Sequence, residues 1–410
     1  MHHNGLYFRF INRKLTSLAL LYFLISPSLS YLAWTLEYTL EFTLFFTLII
    51  FPVISSSVMR FFIQPKTASL TRFVSWITLF LFGASALLHS TFPPLHWSDS
   101  YFIRIITLTL IYPIFMMTLT SDVSEHQRDS LLLYRLAWII LIGTATFGVI
   151  QAHHETGNYF LLFRNWETDS TFNYQFFGDM LAIVSLMLLP NIKRFKVIFF
   201  IISVISIFFS YSRSAILCFL ISAVILFVVN NEISRVRKFG VAVALAVVIL
   251  LTTMVAASLN IEGLEIAFNR LGFIFGAEDA SAVGRREISL QVLENIGDKW
   301  LYGQFLYELE GPGEGGYVHN ILSYLLSYGV IPFTLLIAVI VMSVISSLKN
   351  SIVSGFEAGV AGVLIFSVLS VFFFRSHVWY QLWFALGLAG SVRRFKIVLP
   401  SETCEEATAS

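Results

Sequence analysis

The chain has 410 residues, of which 57% are hydrophobic and only 12% are charged, and its mean hydropathy is +0.79. A soluble protein typically carries about a quarter charged residues, so this composition excludes an ordinary water-soluble enzyme. The 26 Lys and Arg residues are nearly balanced by 25 Asp and Glu residues, and this balance gives no reason to expect nucleic-acid binding.

Apolar stretches recur along nearly the whole chain and predict an all-α polytopic membrane protein embedded in a lipid bilayer. Runs of suitable length give about twelve transmembrane helices. In chain order the predicted spans are 15–34, 38–57, 70–90, 101–119, 131–150, 174–190, 195–210, 214–229, 239–259, 318–348, 355–374 and 378–392. The tenth is long enough to hold a tilted or broken helix.

The loop charges predict how the chain lies in the membrane. Most of the 26 basic residues fall in the loops on one side, close to the ends of the spans. By the positive-inside rule that side is cytoplasmic, so both termini are expected there. The chain then divides into nine helices over 1–259, one large periplasmic loop over 260–317, three helices within 318–398 and a cytoplasmic tail over 399–410. Within the loop, the pattern predicts short helices over 264–275 and 285–296.

Arg213 is the most unusual charge on the predicted outer side. It lies in a very short polar turn between two apolar spans, directly after Ser210, Tyr211 and Ser212. A charge at that depth is costly and often marks a site. Its guanidinium is suited to a phosphate group, with which it forms bidentate hydrogen bonds. The alternative is an interfacial arginine that reaches the lipid headgroups.

Further candidates lie in and after the large loop. Arg285 and Arg286 are adjacent and could hold a diphosphate, or they could begin a solvated helix with Glu287 as a salt-bridge partner. His319 begins the tenth span, and an imidazole can move a proton near neutral pH. The alternative for His319 is an interfacial histidine hydrogen-bonded to Asn320 or to the backbone.

Two more charged residues are predicted near the outer ends of spans. Asp179 is expected to pair with an arginine or to orient an acceptor, and Arg375 closes the eleventh span in a short polar loop. The sequence contains no Walker loop and no Rossmann glycine fingerprint, so nothing indicates binding of ATP or a dinucleotide. An enzyme of this kind would take its energy from an activated lipid substrate.

Taken in order, these motifs resemble the O-antigen ligase and polymerase superfamily of bacterial inner-membrane glycosyltransferases, which are of the GT-C type. The matching motifs are Ser212-Arg213-Ser214-Ala215, Gly284-Arg285, Leu301-Tyr302-Gly303, and His319-Asn320-Ile321-Leu322 followed by Gly329. The resemblance covers about 171–333. One departure is Pro332, where members of the family often have a second glycine.

The resemblance implies transfer of a glycan from undecaprenyl diphosphate to a sugar hydroxyl of lipid A-core, without a cofactor, a metal or a nucleotide. Arg213 and Arg285 would hold the diphosphate, whose negative charge grows as the glycosidic bond breaks. His319 would act as the base on the acceptor hydroxyl or would assist the leaving group. The further substrate-binding residues implied are Arg286, Arg375, Asn320 and Asp179. The reaction would invert the anomeric configuration.

Two other functions stay open. A polymerase of the same superfamily would join lipid-linked repeat units, and it shares the motifs, although the ordered motif set and the single large outer loop favour the ligase. A lipid-linked oligosaccharide transporter or flippase belongs to a different class. It would predict pseudo-symmetric halves and charges near the membrane midplane, whereas the unusual charges here fall on one predicted side.

Overall fold

The structure, a computed structural model, describes residues 2–35, 70–90, 99–120, 127–156, 173–229, 280–295, 297, 299–310, 316, 318–352 and 354–391. All regular elements among these residues are helical, which confirms the all-α fold class. The helices are α1 (His2–Thr35), α2 (Leu70–Ser90), α3 (Asp99–Ile106), α4 (Tyr112–Leu119), α5 (Gln127–Thr156), α6 (Tyr174–Leu188), α7 (Lys196–Phe209), α8 (Arg213–Val229), α9 (Ala280–Asn295), α10 (Lys299–Tyr302), α11 (Leu322–Tyr328), α12 (Val330–Asn350), α13 (Gly355–Phe373) and α14 (Gln381–Ser391).

In the described part of the chain, six helices are long and apolar enough to cross a membrane. They are Lys14–Thr35, Leu70–Ser90, Asp99–Leu119, Gln127–Glu155, Val330–Asn350 and Gly355–Phe373. Helices α7 and α8 are shorter but also apolar. Each predicted span that falls in the described residues overlaps a helix, or, for 101–119 and 318–348, consecutive helical segments. The predicted spans 38–57 and 239–259, the predicted helix 264–275 and the tail lie outside those residues, so the count of about twelve stays a prediction.

The core of the bundle is formed by α6, α13 and α14. Every α6 residue from Phe177 to Leu188 is buried, as is every residue of α14. Helix α13 packs against α6, α8, α12 and α14. By contrast, α2, α5 and α7 expose large apolar side chains such as Phe80, Ile139 and Val197. Apolar side chains on the outside are stable in lipid but not in water, so these helices form a lipid-facing surface.

The tenth predicted span is a broken helix. Helix α11 ends at Gly329, whose φ of 83° lies in the region that favours glycine, and α12 begins at the next residue. Pro332 lies in the first turn of α12, where a missing backbone N–H leaves no helix bond unmade. The Phe333 N–H donates to the Gly329 carbonyl oxygen at 3.2 Å. Pro332 therefore fits the start of this helix without a further break.

Contacts sort the loops and helix termini into two ends of the bundle. The first, called here the Arg375 end, comprises residues 89–90, 99–104, 173–179, 210–213, 301–310, 318–323 and 374–380, which are joined by the contacts described below. The second, the Asn191 end, comprises residues 70–72, 118–120, 189–196, 354–357 and 387–391. There Asn191 Nδ2 donates to the Gly355 carbonyl oxygen at 3.0 Å, and Gly390 lies against Arg72. Segments that share an end are those predicted to share a side of the membrane.

Candidate functional site

A buried ion pair joins the turn between α13 and α14 to α6. Arg375 donates from Nε to Asp179 Oδ2 and from Nη2 to Asp179 Oδ1, both at 2.9 Å. Its Nη1 donates to Gln175 Oε1 at 3.0 Å, and Trp379 Nε1 donates to Asp179 Oδ2 at 2.9 Å. Asp179 is 1% exposed and Arg375 is 6% exposed. Asp179 thus pairs with an arginine, which is the first of its two predicted roles, and its charge is matched by a planar fork of donors.

The turn that carries Arg213 packs on α6 beside this pair. A Cβ added at Gly178 would lie 2.6 Å from Ser212 Cβ, so only a glycine allows the turn to approach α6 so closely. The turn reverses at Tyr211, whose φ is 66°, and Arg213 begins α8 as a half-buried residue. Since Gly178 directly precedes Asp179, the structure brings the Arg213 turn and the ion pair to the same part of the bundle.

The backbone around His319 is held on both sides. The Val318 N–H donates to Tyr307 Oη at 2.6 Å. On the other side, the Asn320 carbonyl oxygen accepts from Ser323 Oγ at 2.8 Å and from the Ser323 N–H at 3.1 Å. Asn320 Oδ1 also accepts a backbone N–H two residues later. His319 itself is half-buried. Its backbone is therefore held in place while the residue stays partly exposed.

His377 links the ion-pair turn to the His319 segment. Its backbone N–H donates to Ser323 Oγ at 2.7 Å. Its ring lies among those of Tyr307, Tyr324 and Tyr328, with centroids 6.4, 6.3 and 6.0 Å away. Burial lowers the pKa of His377 to about 3, because the charged imidazolium is poorly solvated there. The ring is therefore neutral at physiological pH.

The Leu301-Tyr302-Gly303 motif meets the break in the tenth span. Gly303 and Gly329 have φ values of 74° and 83°, and their backbones are in direct contact. A Cβ added at Gly329 would lie 2.7 Å from the Leu301 carbonyl oxygen. His89 Nε2 lies 3.0 Å from the Gly303 carbonyl oxygen. Gly303 and Gly329, both part of the motifs that resemble the family, thus bring two segments of backbone into close contact.

Glu308 is a buried carboxyl group that the sequence interpretation missed. It is 0% exposed, and Tyr101 Oη donates to its Oε1 at 2.9 Å. Burial raises the pKa of Glu308, although the hydrogen bond from Tyr101 acts in the opposite direction. The neighbouring Phe305 packs edge-on against Phe102. The signal was available, because Glu308 is a single charge within the apolar run 305–309.

Arg285 and Arg286 lie on α9, which covers most of the helix predicted over 285–296. Helix α9 contacts the His319 segment through Ile288, which packs against a small core formed by Tyr307, Val318 and Leu326. The side chains of Arg285 and Arg286 lie outside the described residues, so their convergence with Arg213 stays a prediction.

Comparison of the chain with protein-family models, with curated proteins and with solved structures found no match. The resemblance to the O-antigen ligase superfamily therefore rests on the sequence motifs alone. The geometry adds that several of those motifs meet at the Arg375 end. In the described residues, no group of three or more His, Cys, Asp or Glu side chains is arranged to hold a metal ion.

Proposed function

We propose that the chain is a glycosyltransferase of the bacterial inner membrane that moves a glycan from undecaprenyl diphosphate to a sugar hydroxyl of lipid A-core. The observation that supports this most is the meeting of distant motifs at the Arg375 end. The Arg213 turn packs on Gly178, and the His319 segment is bonded to the turn that holds Arg375. One substrate must contact all the groups that act on it, and the placement of the Arg213 turn and the His319 segment at the same end of the bundle supports that requirement.

The diphosphate is held by Arg213 together with Arg285. Arg213 begins α8, a helix of 17 residues, and the positive end of the helix dipole adds to its guanidinium charge. These positive charges stabilise the diphosphate more strongly as the glycosidic bond breaks and negative charge accumulates.

The proton is taken by His319. The acceptor hydroxyl gives its proton to the His319 imidazole while the hydroxyl oxygen attacks the anomeric carbon of the glycan. The bond from that carbon to the diphosphate breaks, and undecaprenyl diphosphate leaves with the electron pair. A single displacement of this kind inverts the anomeric configuration. His319 suits the role better than His377, because it is half-buried whereas His377 is 1% exposed.

The proposal requires the Arg375 end to face the periplasm. The distribution of basic residues supports this orientation. Reporter fusions at Gly313, in the proposed outer segment, and at Lys349, near the opposite end of α12, measure it directly. Gly313 fusions should read periplasmic and Lys349 fusions cytoplasmic. A cytoplasmic reading at Gly313 would place every proposed site residue on the wrong face and would remove the mechanism.

The reaction itself is tested by product analysis with the purified full chain. Undecaprenyl-diphosphate glycan is supplied with lipid A-core, then alone, and then in sealed proteoliposomes. The ligase proposal predicts glycan attached to lipid A-core and free undecaprenyl diphosphate. Lengthening of the lipid-linked glycan without attachment would replace the ligase with the polymerase. Movement of the lipid-linked glycan across the bilayer, with no bond made or broken, would indicate the transporter or flippase class.

A further inference from the structure

Hydrogen bonds and a short stretch of backbone together link α6 to the residue next to His319. Asp179 and Gln175 accept from the Arg375 guanidinium at 2.9 to 3.0 Å. Two residues after Arg375, the His377 N–H donates to Ser323 Oγ. Ser323 Oγ in turn donates to the Asn320 carbonyl oxygen at 2.8 Å.

The surroundings of Arg375 differ from those expected of a phosphate ligand. Its Nε, Nη1 and Nη2 atoms all donate to protein oxygens, and the residue is 6% exposed. The Asp179 carboxylate already takes two of the donors that a phosphate would use, and it matches the arginine charge. A diphosphate would have to displace a buried carboxylate, which would then lack its counter-charge.

We propose that Arg375 is a positioning residue, and that the Asp179–Arg375 pair fixes the orientation of His319 through His377, Ser323 and Asn320. The proposal rests on the proposed function, in which His319 acts on the acceptor hydroxyl. It differs from the role that the resemblance implies for Arg375, which is direct contact with the substrate.

The ion pair acts on His319 through the backbone of the turn between α13 and α14. The ion pair fixes the start of the turn between α13 and α14, and a bond from the Trp379 N–H to the Ser376 carbonyl oxygen closes that turn at 3.1 Å. The closed turn presents the His377 N–H to Ser323, which is 0% exposed. Loss of any one of these hydrogen bonds would let the 318–323 segment move. A displacement of about 1 Å at a reacting group can lower the rate by about a hundredfold.

Kinetic constants separate the positioning role from the ligand role. Under the proposal, Arg375→Gln and Asp179→Asn each lower kcat by about tenfold to a hundredfold, the donor KM stays within about twofold, and the double variant is no worse than the poorer single variant. Ser323→Ala, which keeps the ion pair intact, lowers kcat by about fivefold, the effect of one ordinary hydrogen bond. The matched control is Ser367→Ala, since Ser367 is an equally buried serine whose Oγ makes no hydrogen bond to any described residue, and it should leave kcat unchanged.

A second measurement does not depend on activity. Carbethoxylation of the His319 imidazole by diethylpyrocarbonate, followed by mass spectrometry of the peptide, reports how that ring is presented. We expect a changed labelling rate in Arg375→Gln, Asp179→Asn and Ser323→Ala, and the wild-type rate in Ser367→Ala. If the wild-type chain transfers no glycan, the proposed function fails while the labelling still decides the positioning link.

Two results would overturn the inference. One is an unchanged His319 labelling rate in Ser323→Ala and in the ion-pair variants that insert in the membrane. The other is a large rise in donor KM for Arg375→Gln at unchanged kcat, with Asp179→Asn like the wild type, which is the pattern of a direct diphosphate ligand. Asp179→Asn leaves the buried Arg375 charge unpaired, and that variant could fail to fold. In that case Ser323→Ala, which keeps the ion pair, still decides the test.

Discussion

The two ends of the bundle are built from different kinds of contact. The Arg375 end contains the Asp179–Arg375 pair, the buried His377 and the buried Glu308. Described non-glycine residues at positive φ occur at both ends: Tyr211 and Leu306 lie at the Arg375 end, and Phe195 lies at the Asn191 end. The Asn191 end is closed mainly by short bonds to the backbone, such as that from Asn191 to the Gly355 carbonyl oxygen.

The Asn191 end also buries a carboxyl group, that of Glu357, but at the start of a helix. Glu357 lies in the first turn of α13, and its backbone N–H donates to the capping Ser354 Oγ at 3.3 Å. The dipole of α13 favours negative charge at this position. The Arg375 end instead holds its charges with partners from distant segments. Charged groups that are costly to bury tend to mark functional sites.

The largest effect should come from removing the proposed base. His319→Ala should lower the rate of transfer by about a hundredfold to ten-thousandfold, the usual contribution of a positioned acid or base. The measurement is the turnover of the purified variant with saturating donor and lipid A-core. His154→Ala is the control, since His154 is an exposed histidine on α5. Full activity of His319→Ala would remove histidine from the mechanism.

A smaller effect is expected on stability: a glycine-to-alanine substitution at the Arg375 end should destabilise the chain more than one at the Asn191 end. Gly303→Ala combines a positive φ with a backbone contact to Gly329, so it should lower the free energy of unfolding by at least about 1–3 kcal/mol. Gly355→Ala should cost less, because Gly355 is not at a positive φ and the atom nearest to the added Cβ belongs to a side chain, that of Asn191, rather than to the backbone. Gly143→Ala is the control, with open space around the added Cβ. Thermal unfolding of detergent-purified variants measures how much stability each substitution removes. Equal losses of stability for Gly303→Ala and Gly143→Ala would contradict the prediction.

The smallest effect should be a change in the pH dependence of stability. Burial raises the pKa of Glu308 above the ordinary value of 4.5 for this carboxyl group. Above pH 4.5 the folded chain therefore keeps a proton on Glu308 that the unfolded chain loses. Stability from this group is complete below that value and falls as pH rises through the raised pKa. Glu308→Gln keeps an acceptor for Tyr101 and carries no charge, so as the pH rises above 4.5 it should lose less stability than the wild type does. A variant that loses stability more steeply than the wild type would show that Glu308 is ionised and paired.

Helix positions were predictable because hydrophobic runs are local features of a sequence. The predicted span 70–90 coincides with α2, and the excess length of the tenth span indicated a break, which the structure places at Gly329. Pairing with an arginine was one of two roles predicted for Asp179, and it fits the cost of a lone carboxylate in an apolar helix.

Contacts between distant segments were not predictable in the same way. No local pattern identifies Arg375 as the partner of Asp179, 196 residues away. The same holds for the Gly303 and Gly329 contact, because a positive φ has no signature beyond the glycine itself. Ser323 is the clearest case: its hydroxyl joins two candidate regions, yet it is one of many serines in apolar helices.

The central claim is that the Arg375 end holds a diphosphate through Arg213. The most direct measurement is transfer of glycan from undecaprenyl diphosphate to lipid A-core by purified Arg213→Ala, Arg213→Lys and Arg194→Ala. Arg194 is an exposed arginine at the Asn191 end. Losing one charge-assisted contact removes roughly 1.5–3 kcal/mol, so Arg213→Ala should be slower by about tenfold to more than a hundredfold. Arg213→Lys should also be impaired, because an ammonium group lacks the planar fork, and Arg194→Ala should match the wild type. Wild-type transfer by Arg213→Ala, or equal losses in Arg213→Ala and Arg194→Ala, would contradict the claim.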